Sequence, residues 1–247
     1  MKNILIILGF IFLFNNTNAQ NSWEFVEETY IKGSINGTIT QGFIFKTNSH
    51  DFYVFNERSR QRVMTRNPDV KIFRSDSDYK LIIEDFDEPL ICKRVKNVTE
   101  TQIDGEFEGW KGETIFKLMN GQIWQQSSYA YTYNYAYSPG VLIYEFKGSW
   151  IMRVEDLVET IEVIQINSNN SSSSNNSVIE TQIDGDFEGW EGETIFKMMN
   201  GEIWQQSSYA YLYHYAYSPQ VIIYKSSSGY VMKVDGVEET INVVKLK

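Results

Sequence analysis

Apolar and polar residues alternate along most of this chain with a period of two, in short runs broken by Asn, Gly, Ser and Pro. Successive side chains on a strand point to opposite faces, so the pattern predicts strands from end to end and leaves no stretch with helical periodicity. The one helical hint is a single 3₁₀ turn before the last strand of each copy, at Glu155-Asp156-Leu157-Val158 and Asp235-Gly236-Val237-Glu238. Val, Ile, Thr and aromatic residues fill the runs, and 16 Tyr and 15 Phe against 4 Pro agree with strand composition.

The runs repeat. TQIDGEFEGWKGETIFKLMNGQIWQQSSYAYTYNYAYSP begins at Thr101 and returns nearly unchanged at Thr181. From Glu100 to Tyr144 and from Glu180 to Tyr224, 37 of 45 positions are identical, so both copies must share one fold. A worn third copy lies upstream: Glu28-Thr29-Tyr30-Ile31-Lys32-Gly33 answers Glu100 to Gly105, and Ile44-Phe45-Lys46 answers Ile115-Phe116-Lys117. Pro68 to Phe73 answers Pro139 to Tyr144 in the same register. The expected frame common to the copies is Ile103, Phe116, Val141 and Ile143.

Three tandem modules are therefore expected, at 22–96, 99–166 and 178–247. The Asn/Ser-rich tract 167–177 is too polar to build a core and is expected to behave as a flexible linker. On this reading the first two modules pack as a pair and the third moves on its tether. A module of about 70 residues with neither disulfide nor metal is near the lower limit for a domain, which favours a closed or nearly closed sheet. Short turns, a Pro-initiated fourth strand and a short turn before the last strand resemble the layout of SH3-like barrels, at the level of pattern. The expected fold class is all-β, three small β-barrels in tandem, with an OB-like barrel as the alternative.

Residues 1–19 read as a signal peptide: Lys2 supplies the positive end, Ile4 to Phe14 a short apolar core, and Thr17-Asn18-Ala19 the cleavage site. No cysteine follows that would carry a lipid anchor, and no later apolar run is long enough for a membrane helix. The expected location is secreted or periplasmic, and the whole resembles the small secreted modules of bacteria. Cys92 is the single cysteine; in the run Leu90-Ile91-Cys92 it reads as a buried small hydrophobe. A formal charge of −10 disfavours nucleic acid and anionic lipid and points to neutral or cationic partners.

Asn120-Gly121 and Asn200-Gly201 each sit between alternating runs and predict a two-residue hairpin turn. That register sets Leu118 opposite Ile123 and Lys117 opposite Trp124. Phe116, Leu118 and Ile123 then claim the core, sending Trp124 outward unless the coil of a barrel packs it at the rim. Trp204 beside Lys197 repeats the choice. After the hairpin, Tyr129, Tyr131, Tyr133, Tyr135 and Tyr137 alternate with small or polar residues, as do Tyr209, Tyr211, Tyr213, Tyr215 and Tyr217 in the next copy. Period two places each set on one face. Either the rings cover the core, or they face outward as flat amphipathic platforms suited to sugars or proteins; a long flat strand could also pair with another copy. In the worn copy the equivalent run carries Arg58, Arg60 and Arg62, with Arg66 beyond, either as a solvated, charge-guarded edge or as a face for an anionic glycan or a neighbouring tyrosine face.

Catalytic signatures are missing from the sequence. There is no nucleophile elbow, zinc-protease, phosphate-loop or dinucleotide motif, and one cysteine excludes a Cys-based zinc site. The two histidines, His50 and His214, are not shared between copies. Acidic runs at Asp76 to Asp78 and Glu84 to Glu88 lack the spacing of a calcium loop. No catalytic residue, metal or cofactor is expected. The reading is a secreted, non-catalytic binding protein for polysaccharide or cell-wall glycan, using Trp110, Trp124, Trp190, Trp204, the two tyrosine sets and the arginine run. The alternative is a structural or adhesive protein that self-associates through its Tyr-rich strands. A remote alternative is a hydrolase with Glu108 and Glu188 as acid and base.

Overall fold

The computed structural model describes residues 22–112, 114–166, 178–226 and 229–247. The signal-like segment and the 167–177 tract lie outside the described residues. The first module runs through β1 (Glu24–Tyr30), β2 (Ser34–Thr40), β3 (Ile44–Lys46), β4 (Phe52–Phe55), β5 (Arg60–Arg66), β6 (Asp69–Ser75), β7 (Asp78–Ile83) and β8 (Leu90–Val95). The second has β9 (Val98–Gln102), β10 (Glu106–Lys111), β11 (Ile115–Lys117), β12 (Ile123–Gln126), β13 (Tyr131–Tyr137), β14 (Gly140–Phe146), β15 (Ser149–Val154) and β16 (Thr160–Ile166). The third repeats them as β17 (Val178–Gln182), β18 (Asp186–Trp190), β19 (Ile195–Lys197), β20 (Ile203–Gln206), β21 (Leu212–Tyr217), β22 (Gln220–Ser226), β23 (Gly229–Val234) and β24 (Thr240–Lys245).

The fold is all-β, and three times over the chain builds one six-stranded sheet and one two-stranded sheet. In the second module the large sheet runs β11-β12-β16-β15-β14-β9, and β10 pairs with β13 apart from it. The worn first copy keeps this order strand for strand. Beside each large sheet one isolated antiparallel bridge forms outside the strands: Ile31 to Thr47, Ile103 to Leu118, and Ile183 to Met198. In the second module the Asp104 amide donates to the Lys117 carbonyl (2.8 Å) and the Met119 amide to the Gln102 carbonyl (3.0 Å) beside that bridge. The frame residues Ile103, Phe116, Val141 and Ile143 are all buried. Neither expected 3₁₀ turn forms. The Leu157 amide closes a single turn on the Val154 carbonyl (3.2 Å), with Asp156 at φ 62°, a left-handed step that ends any helical winding.

The hairpin register differs from the expected one by a single residue. The turn is not a two-residue loop. The Gly121 amide donates to the Leu118 carbonyl (2.8 Å) and the Leu118 amide to the Gln122 carbonyl (2.9 Å). Only Gly121, at φ 80°, is left-handed. This is a type I turn closed by a glycine bulge, held by Asn120 Oδ1 accepting from the Gln122 amide (3.0 Å). Phe116 now faces Trp124 and Lys117 faces Ile123. Because side chains alternate faces, a slip of one residue carries Trp124 from the outer to the inner side.

The chain divides into two compact units, one ending at Arg94 and one beginning at Val95 that holds both near-identical copies. Within the latter the copies are joined, so the expectation of a freely moving third module gives way. Ile123 and Ile166 of one copy share a buried cluster with Val178, Tyr224 and Val231 of the other. Around it, Lys117 Nζ meets Glu180 at 2.7 Å and Lys111 Nζ meets Glu238 at 2.9 Å. These half-exposed pairs contribute at most about 1 kcal/mol each, and the apolar cluster dominates. Lys111 is one of the positions where the copies differ: its counterpart is Glu191.

Candidate functional site: two tyrosine combs

The aromatic runs form strands β13 and β21, which pair only with β10 and β18 respectively in the small sheets. Alternation puts Tyr131, Tyr133, Tyr135 and Tyr137 on one side and Thr132, Asn134 and Ala136 on the other. Beneath β13 lie Phe107 and Trp110 of the module core, and Ala130 and Ala136 pack directly against that core. The rings on the opposite face point away from it. Counting Tyr129 and Tyr209 at the strand entries, all ten tyrosines are between 55% and 90% exposed. In the third copy Ala210, Leu212 and Ala216 take the inner side, with His214 beside the Phe187 ring.

Glycine sets this spacing. The register between β10 and β13 breaks at Glu108, and Gly109 then lies opposite Tyr133. Gly109 has φ 98°, and a Cβ there would sit 1.7 Å from the Thr132 carbonyl oxygen. Gly189 makes the same approach to the Leu212 carbonyl, at 1.9 Å. A second anchor is the buried amide of Gln126, whose Nε2 donates to the carbonyls of Ser128 (2.9 Å) and Ala130 (3.0 Å) and pins the entry to the comb. Gln206 does the same with Ser208 and Ala210. Sequence reasoning missed both glutamines, since a polar residue in a polar run carries no sign of burial.

Carboxylates line the combs. Tyr135 Oη donates to Glu106 Oε1 (3.2 Å), and Tyr215 Oη donates to Asp186 Oδ1 (3.0 Å). The hydrogen bond to the carboxylate, and then its charge, favour the neutral phenol and raise the Tyr135 and Tyr215 pKa above the ordinary 10.0. The contact is intact below the ordinary tyrosine pKa and is lost as pH rises through the raised one. Glu106→Gln is therefore expected to bring the Tyr135 titration back down, read residue by residue by NMR on an alkaline titration. An unchanged Tyr135 midpoint would show that the contact is not made in solution.

The tryptophans expected on this surface are not there. Trp110, Trp124, Trp190 and Trp204 are all buried. Trp124 sits inside because of the bulged turn, edge-on to Trp150 at 5.5 Å, with its Nε1 donating to Gln122 Oε1 (3.2 Å). Trp204 packs likewise against Tyr230 at 5.0 Å and donates to Glu202 (3.1 Å). Trp110 and Trp190 lie on the inner side of the small sheet, where the combs cover them. All four are core anchors.

Arg58, Arg60, Arg62 and Arg66 are exposed, along with Met64. Strand β5 pairs with β2 so that Ser34 faces Arg66, as Glu106 faces Tyr137 in the second copy. Val63 points inward and is buried. The arginines thus occupy the fold positions that hold tyrosine in the other two modules. Glu108 is tied to Lys111 Nζ at 2.7 Å, while Glu188 is exposed. Among the described residues, no group of three His, Cys, Asp or Glu side chains is placed to hold a metal ion. Compared with family models, curated proteins and solved structures, the chain shows no match to any of them.

Proposed function

We propose that this is a non-catalytic binding protein, acting outside the cytoplasm, whose tyrosine combs stack on the sugar rings of a polysaccharide or cell-wall glycan. The observation that carries the reading is the outward face of all ten comb tyrosines while the alternate residues of the same runs do the packing beneath them. A phenol ring offers an apolar face to the C–H groups of a sugar and a hydroxyl to its rim, at little cost in side-chain entropy. Four rings on one strand recur about every 6.7 Å and span about 20 Å, enough for several sugar units in a row. Two such faces in one unit raise avidity for a repeating polymer. A barrel in the SH3-like manner, with the large sheet curled behind each comb, would supply the stiff base that a flat binding face needs.

Calorimetric titration with a panel of soluble glycans tests this. A binder should lose at least about tenfold in affinity at each comb when Tyr131→Ser and Tyr133→Ser are combined with Tyr211→Ser and Tyr213→Ser, given about 0.5–1.5 kcal/mol per aromatic contact. Circular dichroism should stay unchanged, because the removed rings support no core. Wild-type protein that binds nothing across neutral and charged glycans would overturn the proposal.

A further inference from the structure

The first module carries a second comb of opposite chemistry. Arg60, Arg62 and Arg66 on β5 take the places of Tyr131, Tyr133 and Tyr137, with Arg58 just ahead of the strand as Tyr129 is, and Met64 in the place of Tyr135. The run therefore has the same outward face as the tyrosine combs and the same two-residue spacing, with Met64 standing between Arg62 and Arg66. Among the described residues, none of these four guanidinium groups pairs with a carboxylate. The charge of the chain is divided the same way. Up to Arg94 the sequence holds twelve acidic and twelve basic residues, and from Val95 onward twenty acidic and ten basic. Six of the seven arginines lie in the first part and all ten comb tyrosines in the second.

We propose that copies of this chain associate head to tail, the arginine comb of one copy lying across a tyrosine comb of another. The proposal rests on the combs being binding faces, as in the function proposed above, and adds a protein partner for them. Planar guanidinium groups stack on phenol rings, and the strand spacing of about 6.7 Å on both sides lets successive contacts form in register. Glu106 and Asp186, already bonded to comb tyrosines, place negative charge where the arginines arrive. Both faces are exposed within one chain, so each is open to a partner. A contact between two different surfaces does not close on itself, and one arginine comb with two tyrosine combs per copy yields chains that grow and branch.

Sedimentation over a range of protein and salt concentrations tests the proposal with two variants. Arg60→Gln, Arg62→Gln and Arg66→Gln together should leave a monomer, with at least a tenfold loss in association. The four-tyrosine variant described above should also be monomeric. Mixed together, the two should recover complexes through the intact arginine comb of one and the intact tyrosine combs of the other, but no long chains. Added salt should weaken wild-type assembly. The arginine variant should still bind any glycan that the wild type binds, which separates failure here from failure of the glycan reading. Wild-type protein that stays monomeric at every concentration would overturn the proposal. So would an arginine variant that assembles like wild type, which would assign assembly to pairing between tyrosine strands.

Discussion

Replacing Gly109 and Gly189 by Ala is expected to unseat both tyrosine combs and to cost at least about 3 kcal/mol in each module. Two costs coincide at these positions. The backbone is left-handed, at φ 98° and 100°, where a side chain is strained by about 1–3 kcal/mol. The new methyl would also meet the carbonyl of Thr132 or Leu212 at under 2 Å, so β10 must separate from β13 and β18 from β21. Because the partner atom is backbone, no side-chain rotation relieves the contact. Gly105 supplies the control: it has φ 101° but nothing within 4 Å of an added Cβ, so Gly105→Ala carries the strain without the collision. Thermal unfolding should fall by roughly 6–12 °C for Gly109→Ala, at about 2–4 °C per kcal/mol for a unit of this size. Amide exchange along β13 should quicken in parallel. If Gly109→Ala proves no worse than Gly105→Ala, the close approach of the two strands is not real.

The second large effect is expected at Tyr224, which is fully buried in the cluster joining the two near-identical copies. Truncating a buried aromatic to Ala costs about 3–5 kcal/mol. Here the loss falls on the seam: Ile123 and Ile166 belong to one copy, Val178, Tyr224 and Val231 to the other. Wild-type protein should melt its second and third modules in one cooperative step, and Tyr224→Ala should split that step in two by calorimetry. The third module would unfold first, since it loses both its own buried ring and its neighbour. Lys117→Ala, which removes the ion pair to Glu180 at the border of the cluster, should shift the midpoint by much less, in keeping with a half-exposed pair. A single, uniformly lowered transition in Tyr224→Ala would place the cohesion of the two copies elsewhere.

Trp124 shows how a correct pattern led to a wrong surface. The alternation around it and the Asn-Gly turn beside it were both legible, and both were read correctly as a hairpin. The turn type was not legible, because Asn-Gly serves a two-residue loop and a bulged three-residue loop equally well. One residue of difference moved Trp124 and Trp204 across the sheet plane to join Phe116 and Phe196, and with them part of the ligand platform first assigned to tryptophan. Ile123 was correctly placed as buried, though it is the neighbouring copy that covers it. The tyrosine runs were the converse case: their shared face was certain, its direction open. Gln126 and Gln206, which fasten the combs, left no trace in the pattern, since hydrogen bonding to a carbonyl four residues on depends on how the chain folds back.

The sequence by itself determined that the protein is built of strands, that one module occurs three times, and which residues share a face in each strand. Period two is enough for all of that, because the alternation of side chains is a local property of extended backbone. The tertiary structure alone decided which face meets water. Phe107 and Trp110 beneath β13, and a glycine letting two backbones nearly touch, seat Ala130 and Ala136 on the core and leave the tyrosines on the other face. That packing turns five tyrosines outward and covers Trp110, while the bulged turn buries Trp124. The joining of the second and third modules was settled in the same way, by apolar side chains that find one another across the repeat rather than along it.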